Sequence, residues 1–146
     1  MDGGLLGVFD ATLDHQNRVV LPLAFAKHLE NEFYMAGLPQ WRHLVLFPAS
    51  HWATLLARYQ EKMTIFDLEF VKLMPILGAH SSKVTLDKKR RFVIPLNLRS
   101  YVASRLVFVG AVDTVRLYRT DRWENERTEG ASLELVSFLS DRRSEC

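Results

Sequence analysis

The chain contains one twelve-residue pattern twice. Thr12-Leu13-Asp14-His15-Gln16-Asn17-Arg18-Val19-Val20-Leu21-Pro22-Leu23 is followed, at an offset of 73, by Thr85-Leu86-Asp87-Lys88-Lys89-Arg90-Arg91-Phe92-Val93-Ile94-Pro95-Leu96. Thr, Leu, Asp, Arg, Val, Pro and Leu hold the same places in both copies. Phe33-Tyr34-Met35-Ala36-Gly37 then matches Leu106-Val107-Phe108-Val109-Gly110 at the same offset, and Leu46-Phe47 and Trp52 match Leu117-Tyr118 and Trp123 at an offset of 71. The loop after the glycine is therefore two residues longer in the first copy. Each set of short strands is small by itself. Two such halves bury their apolar faces most easily in one shared β-barrel or sandwich, with helices outside.

Within each copy, Thr-Leu leads into Asp-x-x-x-Arg, and an alternating run then ends at proline. Asp can accept hydrogen bonds from backbone amides a few residues on, which closes a turn. Proline offers no ladder donor, so it stops the returning strand and can open a helix. The pattern predicts a hairpin whose tip carries Arg18 in the first copy and Lys88, Lys89, Arg90 and Arg91 in the second.

Around these hairpins, alternation predicts strands over Leu5–Leu13, Val19–Leu21, Phe33–Met35 and Leu44–Phe47. A short helix follows Pro22, with Phe25, Ala26 and Leu29 on one face. Ser50 is the expected N-cap of a helix striped by Trp52, Leu55, Leu56 and Tyr59. A second apolar helix carries Phe66, Phe70, Leu73 and Leu77, and Pro75 is expected to kink it or end it early. The second copy repeats the plan: strands over Lys83–Asp87, Arg91–Ile94, Leu106–Val109 and Val115–Tyr118, and a short helix over Leu98–Val102. A helix with a capping-box-like start at Asp121–Glu124 closes it. The tail from Ala131 to Leu139 is apolar at several spacings, and Asp141 to Cys146 is expected to fray.

Charge is informative by position. The net charge is only +2, but between Ser81 and Ser100 stand Lys83, Lys88, Lys89, Arg90, Arg91 and Arg99 against one acid, Asp87. Such clustering attracts a polyanion more than net charge does. With 48% apolar and 25% charged residues the composition is that of a globular protein. No apolar run reaches the roughly 18 residues that a membrane helix needs. Neither a signal peptide nor a disulfide pair is evident, which points to an intracellular protein. The five histidines show no ligand spacing with Cys or acids, so no metal and no other cofactor is expected. There is no P-loop, dinucleotide fingerprint or GxSxG.

The doubled Leu-Asp-x-x-x-Arg hairpin, each copy followed some thirty residues later by Leu-aromatic and then Trp, resembles the MraZ family of bacterial transcriptional regulators. More broadly it is similar to the SpoVT-AbrB DNA-binding domain, present twice in one chain. The resemblance covers Leu5 to about Glu126, and Leu77-Gly78-Ala79 matches the family's bridge. It implies an α+β, mainly β, fold: a duplicated swapped-hairpin, AbrB-like β-barrel with flanking helices. Residues 5–53 are then the first repeat, 54–80 bridging helices, 81–126 the second repeat and 127–146 a C-terminal tail. It further implies a cytoplasmic, nucleoid-associated ring of several chains that binds repeated boxes in double-stranded DNA at the promoter of the cell-division and cell-wall gene cluster. Asn17 and Arg90 stand where the family commonly has Gly, Gln16 where it has Lys, and Asp67 and Glu69 mark a bridge less basic than in relatives.

A guanidinium at Arg18 or Arg91 can grip a phosphate or the edge of guanine. The plainer reading is an ion pair with Asp14 or Asp87 that shapes the loop. Lys83, Lys88, Lys89 and Arg90 are the expected phosphate contacts, with His15, Gln16 and Asn17 as lesser ones. Trp52 and Trp123 belong to packing by their place in the repeat. An Asp14–Asp87 acid dyad is disfavoured, because an Arg four residues from each Asp holds it ionised. The expectation is a non-enzymatic DNA-binding regulator with no small-molecule substrate and no membrane partner. The alternatives are a ring scaffold or partner-binding module that does not bind DNA, and an antitoxin-type regulator, which would carry a single hairpin.

Overall fold

Alternating side chains set the strands, and the two repeat prolines set where they stop. The computed structural model describes residues 4–37, 42–62 and 68–132. Phe66, Asp67 and the tail from residue 133 to Cys146 lie outside the described residues, as do the side chains of Tyr59 and Phe70. The first copy comprises β1 (Val8–Thr12), β2 (Arg18–Val20), α1 (Leu23–Leu29), β3 (Glu32–Ala36), β4 (His43–Pro48) and α2 (Ala49–Lys62). After α3 (Leu68–Ala79) the second copy supplies β5 (Ser81–Thr85), β6 (Arg91–Val93), a 3-10 helix (Leu96–Tyr101), β7 (Arg105–Gly110), β8 (Val115–Arg119) and α4 (Thr120–Ser132).

Neither copy closes on itself. Six strands form an antiparallel sheet in the order β1-β7-β8-β4-β3-β5, while β2 and β6 form a separate two-stranded ribbon. The first strand of each copy pairs with the third strand of the other, β1 with β7 and β5 with β3. Exchange of the copies leaves the strand order unchanged, so the chain has an internal two-fold. Two pairs of repeat-equivalent residues face each other on its axis: Val19 and Phe92 in the ribbon, Val45 and Arg116 in the sheet. The result is an α+β fold, an antiparallel sheet with flanking helices.

The core obeys the same symmetry. Val19 and Phe92, Leu21 and Ile94, Phe25 and Leu98, Phe33 and Leu106, Met35 and Phe108, Leu44 and Val115, and Leu46 and Leu117 all lie in one buried cluster. Phe92 is its hinge, meeting the rings of Phe33 and Phe108 edge-on at centroid distances of 5.3 and 6.4 Å. Burial of one large apolar side chain in such a cluster is worth about 1.5–3 kcal/mol. A smaller cluster (Ala36, Val45, Phe47 and Trp52) lies on the outer face of β3 and β4, under α2 and Leu77 of α3. There Trp52 stacks flat on Tyr34 at 5.2 Å, as its place in the repeat suggested.

The details differ from expectation in four places. The first strand begins at Val8, and Leu5 instead bridges Val112 singly across a turn at Gly7, whose φ is +110°. α2 continues directly from β4 with Ala49 as its first residue, so Ser50 lies inside the first turn and caps nothing. Asp121 likewise lies inside α4 and bonds Arg119, while Glu124 bonds Arg127, so the capping box does not form. α3 runs through Pro75 to Ala79. The carbonyl that Pro75 leaves without a helical donor is that of Val71, on an exposed turn where water can serve it.

Candidate nucleic-acid interface

The two hairpin tips are built identically, and the aspartate does the building. In the first, Asp14 Oδ1 accepts the backbone N–H groups of Gln16 and Arg18, both at 2.8 Å. In the second, Asp87 Oδ1 accepts those of Lys89 and Arg91, again at 2.8 Å. The other carboxylate oxygen takes the guanidinium: Arg18 Nε donates to Asp14 Oδ2 at 2.9 Å and Arg91 Nε to Asp87 Oδ2 at 2.8 Å. Amide donors favour the charged carboxylate, the Arg18 and Arg91 backbone bonds most of all. Both aspartates are therefore held below the ordinary value of 3.8.

These bonds fix the arginines without consuming them. An exposed ion pair adds little stability, but here it locks Nε and leaves the two terminal nitrogens of each guanidinium with no hydrogen bond among the described residues. The side chains remain 29% and 31% exposed. The expected ion pair thus exists and is compatible with the terminal nitrogens meeting a ligand.

Pairing of β2 with β6 brings both arginines onto one surface. Arg18 faces Val93, Val20 faces Arg91, and Val19 and Phe92 between them point into the core. By strand alternation the outer face carries Arg18, Val20, Arg91 and Val93, with both valines 47% exposed. Beyond the ribbon, Leu21 N–H donates to the Arg90 carbonyl and Ile94 N–H to the Asn17 carbonyl, both at 2.8 Å. The two tips therefore flank the ladder, about 13 Å apart along it at about 3.3 Å per residue.

The remaining expected residues divide by position. Lys88, Lys89, His15 and Gln16 are exposed at the tips, and neither lysine has an ion-pair partner among the described residues. Asn17 and Arg90 occupy the left-handed region, with φ of 59° and 60°. The loop thus keeps the glycine-type bend with arginine in it. Arg90 turns back, and its Nε donates to the Leu21 carbonyl of the other copy at 3.2 Å. Lys83 stands apart on β5, where its Nζ lies 3.2 Å from Glu32. Sequence reasoning did not single out Val20 and Val93. Their signal was present, because each lies two positions after a motif arginine and so shares its strand face. No group of His, Cys, Asp and Glu suited to a metal occurs among the described residues.

No protein-family model matches the chain. Among curated proteins it is similar to the Transcriptional regulator MraZ of Natranaerobius thermophilus, 28% identical over 87% of this chain and 89% of the relative. That of Herpetosiphon aurantiacus is 29% identical over 82% and 83%, and that of Lactiplantibacillus plantarum 27% identical over 86% and 89%. The doubled hairpin and these relatives together support membership of the MraZ family.

Proposed function

We propose that the protein is a DNA-binding transcriptional regulator that reads DNA with the outer face of the β2–β6 ribbon. The observation that carries this reading is the placement of Arg18 and Arg91 on that face, each held by its aspartate through Nε, with its terminal nitrogens unbonded among the described residues. A two-stranded ribbon fits the major groove, about 12 Å wide, where guanidinium groups meet guanine edges and valines meet thymine methyls. Lys88 and Lys89, with His15 and Gln16 on the other tip, lie where the flanking phosphate chains would run and so set position and register. Arg90, tied to Leu21, contributes charge from behind the tip, and Lys83 contributes at longer range. The relatives' naming as transcriptional regulators supports the same reading and gives no support to an enzymatic one.

The targets would be repeated promoter boxes of the cell-division and cell-wall gene cluster, bound in the cytoplasm at the nucleoid by a ring of several chains. Exposed Leu68, Val71 and Ile76 on α3 support self-association. A ring multiplies weak single-ribbon contacts through effective concentration when the boxes repeat. The same side chains are the one observation favouring a scaffold that assembles without DNA. Fluorescence anisotropy on box DNA and scrambled DNA, over a salt series, separates the two. The regulator reading expects at least a 100-fold preference for boxes and log K falling with log salt by about 0.9 per phosphate contacted. Equal, weak and salt-insensitive binding to both DNAs leaves the scaffold.

A further inference from the structure

The outer face of the sheet is open at its centre. α2 packs over β3 and β4, and α4 over β7 and β8, so the β4–β8 seam runs between the two helices. A cavity of about 450 Å³ opens on this seam, within the range of small-molecule sites. Its floor follows the strand register. Val45 faces Arg116 on the two-fold axis, and Phe47 stands one step further along that face of β4. Both Val45 and Phe47 are buried. The ribbon lies at the other end of the same axis, so the cavity and the candidate DNA face share no side chain.

Arg116 is the polar anchor. Its Nη1 donates to the Tyr118 hydroxyl at 3.2 Å, the side chain is exposed, and it has no carboxylate partner among the described residues. At the far end of the floor Asp113 stands on the β7–β8 turn, with Oδ2 3.6 Å from His51 Nε2. Its Oδ1 carries no hydrogen bond among the described residues. Two bonds fix the turn: Ala111 N–H donates to the Thr114 carbonyl at 2.8 Å and Asp113 N–H to the Ala111 carbonyl at 3.0 Å. Val112, just before Asp113, has a φ of +75°, backbone that a β-branched residue disfavours. Strain of this kind collects at ligand sites. His43, beside Tyr118, adds no charge near neutral pH, because burial and then Arg116 lower its pKa to about 4. The cavity therefore presents a guanidinium and a carboxylate with an apolar floor between them. The fold itself does not require these groups: at the repeat offset of 71 the mates of Arg116 and His51 are Val45 and Arg122.

We propose that this cavity binds a free amino acid with an apolar side chain. The ligand carboxylate meets the Arg116 guanidinium in the two-pronged geometry that such groups favour, and its ammonium meets Asp113 Oδ1. Its side chain lies on Val45 beside the ring of His51, which stacks on Phe47 at 6.0 Å. A ligand lacking either charge leaves Asp113 or Arg116 uncompensated, so the site selects the zwitterion over a plain amine or acid.

Free valine, leucine, phenylalanine and tryptophan are the probes, titrated into the full-length protein by calorimetry and by methyl NMR. At least one should bind with one site per chain and shift the methyl signals of Val45. For that ligand, the matching amine without carboxylate and the matching acid without ammonium should each bind at least about tenfold more weakly. Arg116→Val, which places on the axis the residue of the symmetry mate, and Asp113→Asn should weaken binding by the same factor while the remaining methyl signals stay in place. No saturable binding of any of the four below about 10 mM overturns the proposal. So does undiminished binding by Arg116→Val, equal binding of the amine or the acid, or shifts that leave Val45 unmoved. No DNA enters the measurement, so its outcome is independent of the ribbon's reading.

Discussion

Asp14 and Asp87 each hold three donors, and this decides how the tips respond to acid. Their carboxyls are depressed below 3.8 in the folded loop, chiefly by the backbone bonds from Arg18 and Arg91. Between the folded and the unfolded value the open chain binds more protons, so acid favours opening there. The contribution is complete above pH 3.8 and vanishes as pH falls through the folded value. Amide exchange at Gln16, Arg18, Lys89 and Arg91, corrected for intrinsic rates, should therefore stay protected from pH 7 to about 4 and lose protection below. Loss of protection already at pH 6 would show that these bonds do not hold the tip. Arg90 sets two effects against each other: its left-handed φ costs about 1–2 kcal/mol, and its Nε bond to Leu21 returns part of that. Alanine keeps the strained φ and loses the bond, whereas glycine loses the bond and removes the strain. Arg90→Ala should thus be about 1 kcal/mol less stable than Arg90→Gly in urea denaturation. The reverse order would mean that the backbone at this position is unstrained.

At the level of elements, the β2–β6 ribbon depends on the core beneath it. Phe92 is 2% exposed and touches Phe33 and Phe108. Phe92→Ala should cost about 3–5 kcal/mol in chemical denaturation and loosen both tips together, because Val19 and Phe92 are the pair on the axis. A loss confined to the second tip would contradict a shared ribbon. Most elements were legible in the sequence because alternation and the two prolines are local signals. The ends of α2, α3 and α4 were not. Ser50 and Asp121 carry capping chemistry, but each helix starts directly from a strand one residue earlier, so neither stands at the cap. Pro75 is tolerated because the turn it interrupts faces solvent. The tie between Arg90 and Leu21 joins residues 69 apart in sequence, and no local pattern encodes it.

For the molecule as a whole, duplication explains both the fold and the candidate site. The strand exchange makes two weak halves into one core, and the same exchange sets the two aspartate-braced arginines side by side. The repeat disclosed the symmetry, and the resemblance suggested the use. The convergence of the tips on one ribbon, with Val20 and Val93 between the arginines, came only from the pairing register. The most direct test of that convergence is anisotropy at fixed salt, comparing the wild type with the Arg18→Ala/Arg91→Ala double variant on box and scrambled DNA. Each arginine reading a base edge supplies about 1–3 kcal/mol of discrimination. The double variant should lose at least about 30-fold of its preference for boxes, keep the wild-type circular dichroism, and retain most of its weak binding to scrambled DNA through Lys88 and Lys89. An undiminished preference for boxes in the folded double variant would contradict the account and move the reading surface off the ribbon.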